Sequence, residues 1–414
     1  MIPKIIKRWL GENLPQAYVG LTSQEKKTAF LNRIKLSLLR YVAHPIKRRL
    51  AKYYLSFLRK NCGLKVIGIT GSAGKTTTKE MIASILKLQG KTVYSKENID
   101  PVYNIPTTIL RCFPWTRFLV LEMGIEYPGE MDFYLWLVKP DVGVITNISP
   151  THILYLKDIE GVFSEKIKLV NNLASGGMAI LNGSDPLLSK ASSKLNQRMM
   201  LFGLGGRVVA ENVSLDLGLG TKFILNIEKH QMEINLPILG KQFVQNALAA
   251  TACVWSMGIS QAKIKQGLES FSRGGHRMKV STGKSGVIVI DDSYNNNPAA
   301  AREALEILKR VGEGKKKVFV FADMLELGTE AQKYHQEFGE LVGGSGLDLF
   351  IGIGPLTKKA VEKAAQKTGY KNALWVDSKS KVLPHLFPYL NPQSLIMIKG
   401  SRAMGLDSLV PQLL

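Results

Sequence analysis

The sequence predicts an α/β protein, and two observations support this fold class. First, apolar strand-like runs alternate with helical stretches from residue 62 onward, which is typical of mostly parallel β-sheets. Second, a glycine-rich loop joins the first of these strands to a helical pattern, as in proteins that bind phosphate groups. We therefore predict a short, basic, mainly helical segment (1–61), a central domain with a P-loop-type, mostly parallel sheet (62–275), and a Rossmann-like C-terminal α/β domain (276–414).

The individual elements follow from the apolar patterns. In the central domain we predict strands at 65–70, 117–122, 142–147 and 178–182. Residues 205–237 alternate between apolar and polar, which predicts an antiparallel flap, and a helix is predicted at 244–257. The Arg-Gly-Gly stretch at 273–275 predicts a linker. In the C-terminal domain the predicted strands are 286–291, 317–322, 347–353, 374–376 and 395–399.

The bulk composition is that of an ordinary globular protein. Of the 414 residues 45% are hydrophobic and 21% charged, and this length suits two or three domains. No run of eighteen apolar residues predicts a transmembrane helix, and the N-terminus lacks the features of a signal peptide. The three cysteines are widely spaced, which argues against a disulfide framework or a Cys-rich metal site. We therefore expect a cytoplasmic protein, and a monomer.

The net charge of +22 is concentrated near the N-terminus, where residues 1–60 hold fourteen Lys or Arg against two Glu, giving +12. Apolar residues recur there at helical spacing, first from Phe30 to Tyr41 and again beyond a break predicted at His44-Pro45. Such a segment can contact the inner face of an anionic membrane peripherally. The alternative is a solvated basic face packed on the rest of the protein, and the sequence favours neither. Aromatic-and-basic nucleic-acid signatures are absent, so no nucleic acid partner is expected.

The loop at 70–78, T-G-S-A-G-K-T-T-T, indicates ATP binding. Its small residues let backbone N–H groups approach an anion, and the next helix directs its positive end toward the same anion. Lys75 is placed to reach the β- and γ-phosphates and Thr76 to bind Mg²⁺. Ile69 stands at the first glycine position of the strict pattern, so the loop is the variant T-G-x-x-G-K-T-T. The predicted nucleotide-binding residues here are Gly71, Ser72, Ala73, Gly74, Lys75, Thr76 and Thr77.

Polar residues follow two further strands of the central domain. Glu122 ends the second predicted strand, and His152 closes the N-I-S-P-T-H stretch after the third. In an open α/β sheet, ligands bind beyond the carboxyl ends of the strands. A carboxylate and an imidazole converging on the phosphate loop would form a divalent metal site beside the triphosphate. Each residue also has a plain alternative, a cap or solvated carboxylate for Glu122 and a structural histidine for His152.

Lys166 is predicted to point into the protein. Phe163, Ile167 and Val170 share one helical face, and Lys166 lies about 60° from its centre. Lys168, by contrast, points mostly away. Something must compensate an inward lysine, because burying an unpaired ammonium is costly. A salt bridge is the simplest compensation.

The chain resembles the Mur ligases, ATP-dependent enzymes that form amide bonds in cell-wall precursors. The resemblance covers roughly residues 62–414 and depends on seven separate motifs in order: T-G-S-A-G-K-T-T-T, E-M-G-I-E-Y-P-G-E, T-N-I-S-P-T-H, G-K-Q-F-V-Q-N-A-L-A-A, D-D-S-Y-N-N-N-P, A-D-M-L-E-L-G and I-K-G-S-R-A-M. The motifs most resemble the branch of the family that adds D-alanyl-D-alanine to a UDP-muramoyl-tripeptide. The resemblance implies that ATP converts a carboxylate into an acyl phosphate, which an incoming amine then attacks.

The resemblance also implies roles for the residues in the central domain. Lys166 stands where the family has a lysine carboxylated on N6 by CO₂, which turns a cation into an anionic oxygen ligand. Thr76, Glu122, His152 and the modified Lys166 would then hold Mg²⁺. The implied catalytic residues are Lys75, Glu122, His152 and Lys166. Asn246 matches a residue that reaches the adenine ring.

In the C-terminal domain the resemblance implies two groups of contacts. Those to the nucleotide are Arg277, Asp292, Tyr294 and Asn295. Those to the incoming dipeptide are Asn297, Lys399, Ser401 and Arg402. For the loop at 292–297 a polar turn is the plain alternative. One departure from the family lies near Asn246, because Phe243 occupies a position where a polar residue is more usual.

The implied partners are a muramoyl-peptide acceptor and a D-alanyl-D-alanine-type dipeptide. The family's domain that holds the UDP part of the acceptor is not recognisable, and the basic segment takes its place, so both a nucleotide-linked and a lipid-linked acceptor remain open. Two alternative functions also remain open. One is a Mur-type ligase with another acceptor or amino-acid donor, including a polyglutamate-type substrate. The other is a nucleotide-binding scaffold without ligase activity.

Overall fold

Two β-sheets carry most of the described chain. The structure is a computed structural model, and it describes residues 8–19, 30–96, 99–218, 220–271, 277–325, 327–367 and 370–414. The linker predicted at 273–275 lies outside the described residues. The chain divides into two units: the first comprises Met1–Val213, Phe223–Ile234 and Gln242–Phe271, and the second Ser214–Lys222, Asn235–Lys241 and Ser272–Leu414.

The first sheet has nine strands in the order β2-β3-β1-β4-β5-β6-β7-β8-β9. Strands β1 to β6 pair in parallel, and the short connections between β7, β8 and β9 make the antiparallel flap that the alternating pattern predicts. The strands are β1 (Lys65–Thr70), β2 (Thr92–Tyr94), β3 (Phe118–Glu122), β4 (Val142–Ile145), β5 (Met178–Asn182), β6 (Arg198–Phe202), β7 (Val208–Asp216), β8 (Gly220–Ile227) and β9 (His230–Leu236). The predicted α/β class with a mostly parallel sheet is confirmed.

Helices cover this sheet, so the central strands are buried along nearly their whole length; β1 exposes only its first residue. The helices of this part of the chain are Lys75–Lys87, Pro101–Ile109, Glu130–Leu137, Ile153–Leu156, Ile159–Asn171, Pro186–Ser192, Lys241–Ser256 and Gln261–Glu269. Since β1 lies between β3 and β4, the loops that follow these three strands meet at one edge of the sheet. This edge holds the candidate site.

The N-terminal segment is helical, as predicted, but the break predicted at His44-Pro45 is wrong. Helix Phe30–Leu38 continues through a π-helical turn at Leu39–Ala43 directly into helix His44–Cys62. The π-helical turn lies just before Pro45, and this irregular turn accommodates a proline that cannot donate a helical hydrogen bond. Ala51, Leu55 and Leu58 of that helix join the core of the first unit.

The second sheet has six strands in the order β10-β11-β15-β12-β13-β14. Only β10 runs antiparallel to its neighbour among the described pairs, so the sheet is Rossmann-like, as predicted. The strands are β10 (Lys279–Thr282), β11 (Ile288–Asp292), β12 (Lys316–Ala322), β13 (Leu349–Ile353), β14 (Ala373–Val376) and β15 (Ser394–Lys399). The helices are Pro298–Val311, Ala331–Gly343, Thr357–Ala365, Leu383–Leu386 and Val410–Leu413.

Candidate active site

The phosphate loop is built on two glycines that no other residue could replace without movement. Gly71 and Gly74 have φ angles of 147° and 80°, in the region that favours glycine. A Cβ on Gly71 would lie 1.9 Å from Thr146 Oγ1, and one on Gly74 would lie 2.2 Å from Asn246 Oδ1. The loop is therefore pressed against the chain behind it. Ala73, between the two glycines, is exposed, so a ligand can approach the loop there.

The loop after β4 holds the phosphate loop in place from behind. The Ser72 N–H donates to Asn147 O at 3.0 Å, and the Ala73 N–H donates to Asn147 Oδ1 at 2.9 Å. Thr146 Oγ1 donates to Ala73 O at 2.6 Å. Helix Lys75–Lys87 begins directly after Gly74, and its first N–H groups have no partner within the helix. The N–H groups that remain for an anion are thus those at the start of this helix.

Lys75 lies folded back over the loop that it follows. Its Nζ donates to Gly71 O at 2.9 Å and to Ser72 O at 3.4 Å. Burial lowers the pKa of Lys75, and the nearby charge of Glu122 opposes this shift. A bound phosphate would offer this ammonium charged acceptors in place of neutral carbonyls, and such hydrogen bonds are stronger.

Glu122 lies at the end of β3, beside the first turn of helix Lys75–Lys87. Thr76 Oγ1 donates to Glu122 Oε1 at 3.0 Å, and Lys79 Nζ is 3.5 Å from Glu122 Oε2. Lys79 is fully buried, with an exposed side-chain fraction of 0%. Sequence reasoning missed Lys79, although its place one helical turn after Lys75 was a usable signal. This buried cation fixes the carboxylate that faces the Thr76 hydroxyl.

Lys166 points inward from helix Ile159–Asn171 and is buried. Within the part of the chain that the structure describes, its ammonium has neither a hydrogen bond nor an ion pair, so the salt bridge considered from the sequence is absent. Lys168 instead makes the ion pairs, with Asp132 at 2.7 Å and Glu165 at 2.5 Å. Burial and the charge of Lys75 lower the pKa of Lys166 to about 8, against smaller opposing effects of Glu165 and Glu130.

His152 belongs to the same electrostatic neighbourhood. Burial lowers its pKa, and the charges of Lys75 and Lys166 lower it further, while Glu126 raises it. The residue adopts a left-handed conformation with φ of 54° immediately before helix Ile153–Leu156. Lys75, His152 and Lys166 therefore lie within electrostatic reach of one another. The sequence separates them by up to 91 positions, and the sheet brings them together.

Protein carboxylates and imidazoles alone do not form a metal cage here. Among the described residues, no group of three or more His, Cys, Asp or Glu side chains could hold a metal ion. This suits Mg²⁺, which commonly takes one or two protein carboxylates, several waters and the oxygens of a bound phosphate. The paired Glu122 and Thr76 oxygens at the mouth of the phosphate loop fit such a partial ligand set.

Asn246 is buried under the phosphate loop. Besides its contact with the Gly74 position, its Oδ1 accepts a 3.4 Å hydrogen bond from Thr78 Oγ1. Through these contacts Asn246 stabilises the conformation of the phosphate loop. The adenine contact implied by the family stays a prediction.

In the second unit, the ends of β11 and β15 place an acid and a base side by side. Asp292 is paired in register with Lys399, and Lys399 Nζ lies 2.5 Å from Asp292 Oδ2. The same ammonium donates to Asn295 O at 2.9 Å. Lys399 thus has two partners within the protein, which does not favour its predicted role as a ligand of a dipeptide carboxylate. Sequence reasoning missed the neighbouring Glu303, whose pKa is raised to about 7 by burial and by Asp292, against the effect of Lys399.

The other residues predicted in this unit have varied surroundings. Asn297 caps helix Pro298–Val311, because its Oδ1 accepts from Ala300 N at 2.9 Å, so the plain interpretation of a polar turn fits this residue. Ser401 is buried, and its hydroxyl donates to Asp323 O at 2.9 Å. Arg402 differs: its side chain is 59% exposed, with one 3.4 Å contact to Asp407.

Arg277 and Tyr294 lie together. The Arg277 guanidinium carbon is 3.6 Å from the centre of the Tyr294 ring, a cation–π arrangement. Arg277 Nε is buried without a hydrogen-bond partner among the described residues. An aromatic face beside a basic group is suited to binding a nucleotide, which has a planar base and anionic phosphates.

The fold and the first-unit site define a nucleotide-binding α/β protein of the P-loop type with a buried lysine beside the phosphate loop. The Mur ligase middle domain matches residues 69–254, and the Mur ligase glutamate ligase domain matches residues 276–402. The UDP-N-acetylmuramoyl-tripeptide–D-alanyl-D-alanine ligase of Bacillus subtilis (strain 168) is 32% identical over 367 residues, covering 89% of this chain and 79% of that protein. The chain belongs to the Mur ligase family.

Solved structures agree with this assignment. A crystal structure of MurF from Acinetobacter baumannii superposes with a TM-score of 0.81 at 29% identity, covering 89% of this chain and 80% of the other. A MurF ligase from Thermotoga maritima, crystallised in complex with ADP, shares the fold with a TM-score of 0.74 at 24% identity, covering 89% and 83%. The protein is an ATP-dependent ligase that forms an amide C–N bond, and enzymes of this family use ATP and Mg²⁺.

Proposed function

We propose that this enzyme joins D-alanyl-D-alanine to the terminal carboxylate of a UDP-linked muramoyl-tripeptide in the cytoplasm. The observation that carries the ligase part of this proposal is that Lys75, Thr76 and Glu122 meet at one sheet edge, with the buried Lys166 within electrostatic reach of Lys75. The choice of substrates is supported by the names of the relatives, which match both domains of the chain. A nucleotide-linked acceptor is proposed over a lipid-linked one for the same reason. We also propose 62–275 and 276–414 as the two domains that act in this reaction, with residues 1–61 outside them.

The phosphate loop and its helix would hold the triphosphate. Backbone N–H groups at the start of helix Lys75–Lys87 would donate to phosphate oxygens, and Lys75 would exchange its loop carbonyls for the β- and γ-phosphates. Thr76 and Glu122 would contribute oxygens to Mg²⁺, with His152 and Lys166 completing the protein side. Bound there, Mg²⁺ would neutralise the charge that develops during phosphoryl transfer.

Lys166 is suited to carboxylation on Nζ. Carboxylation needs the neutral amine, whose nitrogen attacks the carbon of CO₂ and then loses a proton to solvent. A pKa of about 8 rather than 10.5 raises the neutral fraction at pH 7 roughly 300-fold. The neighbouring charge of Lys75 disfavours an ammonium at this position and would favour the anionic carbamate. The modified side chain would add a second negative charge to that of Glu122.

The reaction then follows from the arrangement of the chain's own groups. Lys75 and the helix N-terminus hold the γ-phosphate while the acceptor carboxylate attacks it, giving an acyl phosphate and ADP. The amine of the dipeptide next attacks the acyl carbon, phosphate leaves, and the amine proton passes to solvent or a base. In the second unit, we propose that Arg277, Tyr294, Asp292 and Asn295 contact the nucleotide. Arg402 is the exposed cation there that is suited to the dipeptide carboxylate.

ADP release in the presence of Mg²⁺ and bicarbonate tests the proposal. We expect release that requires both the UDP-muramoyl-tripeptide and D-alanyl-D-alanine. Glutamate in place of the dipeptide should give none. Release with glutamate alone would instead support the polyglutamate-type alternative, and ATP binding without substrate-dependent release would support the scaffold alternative.

The carbamate is tested separately with Lys166→Ala. We expect turnover to fall by about 10³-fold or more, because the variant lacks the anionic ligand, and to recover in part when acetate is added. Lys168→Ala is the matched control on the same helix, and it should retain most of the activity because Lys168 pairs with Asp132 and Glu165 at a distance from the phosphate loop. Full activity of Lys166→Ala would rule out the carbamate.

A further inference from the structure

An apolar stripe runs along the continuous helix of the N-terminal segment on its solvent side. From Leu31 onward its members recur every three or four residues, so they share one helical face. Each is between 42% and 77% exposed. The stripe consists of Phe30, Leu31, Ile34, Leu38, Val42, Ile46, Leu50, Tyr53 and Phe57. At 1.5 Å per residue it is about 40 Å long.

The two halves of this helix are held differently. In the second half the opposite face is buried, with Ala51, Leu55 and Leu58 in the core of the first unit, so the stripe cannot turn inward. The first half, Phe30–Leu38 with the π-helical turn, has no buried residue at all. An amphipathic helix surrounded by water is only marginally stable unless its apolar face is covered. A continuous exposed patch of this length indicates a binding surface.

The charge around the stripe selects the partner. Residues 30–62 contain nine Lys or Arg and no Asp or Glu. Arg49 and Lys60 lie along one margin of the stripe in helix His44–Cys62, and Lys47 lies along the other. Two copies of this face would bring like charges together, which disfavours self-association. An anionic lipid surface satisfies both features, because it accepts apolar side chains between its headgroups and attracts basic ones.

A second exposed apolar feature lies near the end of the stripe. Phe113 and Trp115 stack with ring centroids 4.8 Å apart, and both are more than half exposed. The turn that carries them is tied to the N-terminal helix, since Tyr54 Oη donates to Cys112 O at 2.9 Å, and Tyr54 stacks on Phe57. Arg111 and Arg117 flank this turn. An exposed Trp between basic residues is typical of a membrane interface.

We propose that this face, the stripe together with the 113–115 turn, docks the enzyme peripherally on an anionic lipid bilayer. The helix lies in the interface: no helix in the described part of the chain has the length and apolar character needed to cross a bilayer. The proposal is independent of which acceptor the ligase uses.

Flotation of the full chain with lipid vesicles tests the proposal. We expect binding to vesicles that contain phosphatidylglycerol, weak binding to pure phosphatidylcholine, and loss of binding as salt rises. The double variant Leu38→Glu/Leu50→Glu should bind at least about tenfold more weakly, because it places charges within the apolar stripe. Leu204→Glu/Leu341→Glu changes two exposed leucines elsewhere and should bind like the wild type.

The electrostatic contribution is tested with Lys35→Gln/Lys60→Gln, which changes one exposed lysine in each half of the helix. Each basic residue near an anionic surface contributes about fivefold, so the pair should weaken binding roughly 25-fold at low salt, whereas Lys190→Gln/Lys194→Gln should not. Melting temperature and substrate-dependent ADP release should be unchanged in all variants, which separates this proposal from that of the ligase function. No flotation of the wild type, or equal flotation of the stripe variants, would overturn it. So would a wild-type dimer that the stripe variants convert to a monomer without any vesicle binding.

Discussion

Close atomic contacts around Gly74 decide whether the phosphate loop can form. Its φ of 80° is left-handed, and the space where a Cβ would stand is taken by the Asn246 amide. The same amide contacts Thr78 on the helix that follows. One residue thereby links the loop, its helix and the helix Lys241–Ser256 behind them.

Gly74→Ala should abolish measurable ATP binding and lower stability by several kcal/mol. The left-handed conformation alone costs about 1 kcal/mol, and the 2.2 Å approach to Asn246 adds displacement of the loop. Calorimetric titration with ATP measures the first effect and thermal unfolding the second. Gly176→Ala is the matched control, because its φ of 72° is similar but nothing lies within 4 Å. That variant should lose only about 1 kcal/mol and bind ATP normally.

At the residue scale, the charge of Lys79 also positions the Glu122 carboxylate. Its buried ammonium lies 3.5 Å from Glu122, whose other oxygen accepts from Thr76, so Lys79 positions a carboxylate that we propose as a metal ligand. The backbone N–H of Glu122 also donates to Ser95 Oγ at 2.8 Å. Two contacts thus hold the carboxylate and a third holds the backbone that carries it.

Lys79→Met should raise the Mg²⁺ concentration needed for half-maximal turnover by about 10- to 100-fold, because the supporting partner of a metal ligand is lost. The measurement is ADP release against Mg²⁺ at saturating ATP. Lys87→Met, at the exposed end of the same helix, should leave the Mg²⁺ dependence unchanged. An unchanged Mg²⁺ dependence in Lys79→Met would mean that this lysine only fills space.

At the scale of elements, the parallel strands bring functional residues together at their carboxyl ends. Thr70, Glu122 and Ile145 end three adjacent strands, so the loops that follow meet although they are far apart in sequence. In the second sheet the same geometry sets Asp292 beside Lys399. Glu303, on helix Pro298–Val311, completes that cluster with a third ionisable group.

Glu303→Gln should make the protein more stable at pH 8 and change little at pH 4.5. Burial raises the pKa of Glu303 to about 7, so the folded state favours the protonated acid; this contribution is fully present below about pH 4.5 and is lost as pH rises toward 7. Gln imitates the protonated form. We expect the free energy of unfolding at pH 8 to increase by about 1–2 kcal/mol. This is less than the full pKa shift implies, because part of the side chain is exposed to solvent.

Thermal unfolding at the two pH values measures the Glu303→Gln effect. Glu306→Gln, on the same helix but mostly exposed and paired with Lys309, should show no comparable gain. A Glu303→Gln protein that is less stable than the wild type at pH 8 would show that the ionised form is the favoured one.

At the scale of the molecule, two units carry separate tasks in the proposed reaction. The first has the phosphate loop with the proposed metal ligands Thr76 and Glu122, and the second has the exposed Arg402 and the Arg277–Tyr294 pair. Within the second unit, the Arg277–Tyr294 pair is proposed to contact the nucleotide and Arg402 the dipeptide, so substitution of Arg402 should affect only the dipeptide.

Arg402→Ala should raise the KM for D-alanyl-D-alanine by about 10- to 100-fold and leave the KM for ATP unchanged, because a charge-assisted contact to the dipeptide carboxylate is lost. Steady-state ADP release with each substrate varied in turn measures both constants. Arg310→Ala, an exposed arginine of the same unit, is the control and should change neither. An increase in the KM for ATP instead would place Arg402 at the nucleotide.

Much of this architecture is predictable from local pattern. Long apolar runs give β1, β3, β4 and β5 within a few residues, and the helical spacing around Phe163 gives the inward Lys166. The short strands β2, β6 and β10 were not predicted, because three to five residues with mixed composition become strands only when a neighbouring strand accepts their hydrogen bonds. The continuity through His44-Pro45 was missed for a related reason, since a π-helical turn leaves no simple sequence pattern.

The sequence by itself determined the fold class, the phosphate loop and the family, because these depend on residue order over short windows. The tertiary structure decided which groups face each other. It paired Lys399 with Asp292, placed Lys79 behind Glu122, gave Lys166 no ion pair among the described residues, and left the stripe on the N-terminal helix exposed. Charge pairing and burial depend on distances between residues far apart in the chain, and those distances exist only once the sheets have formed.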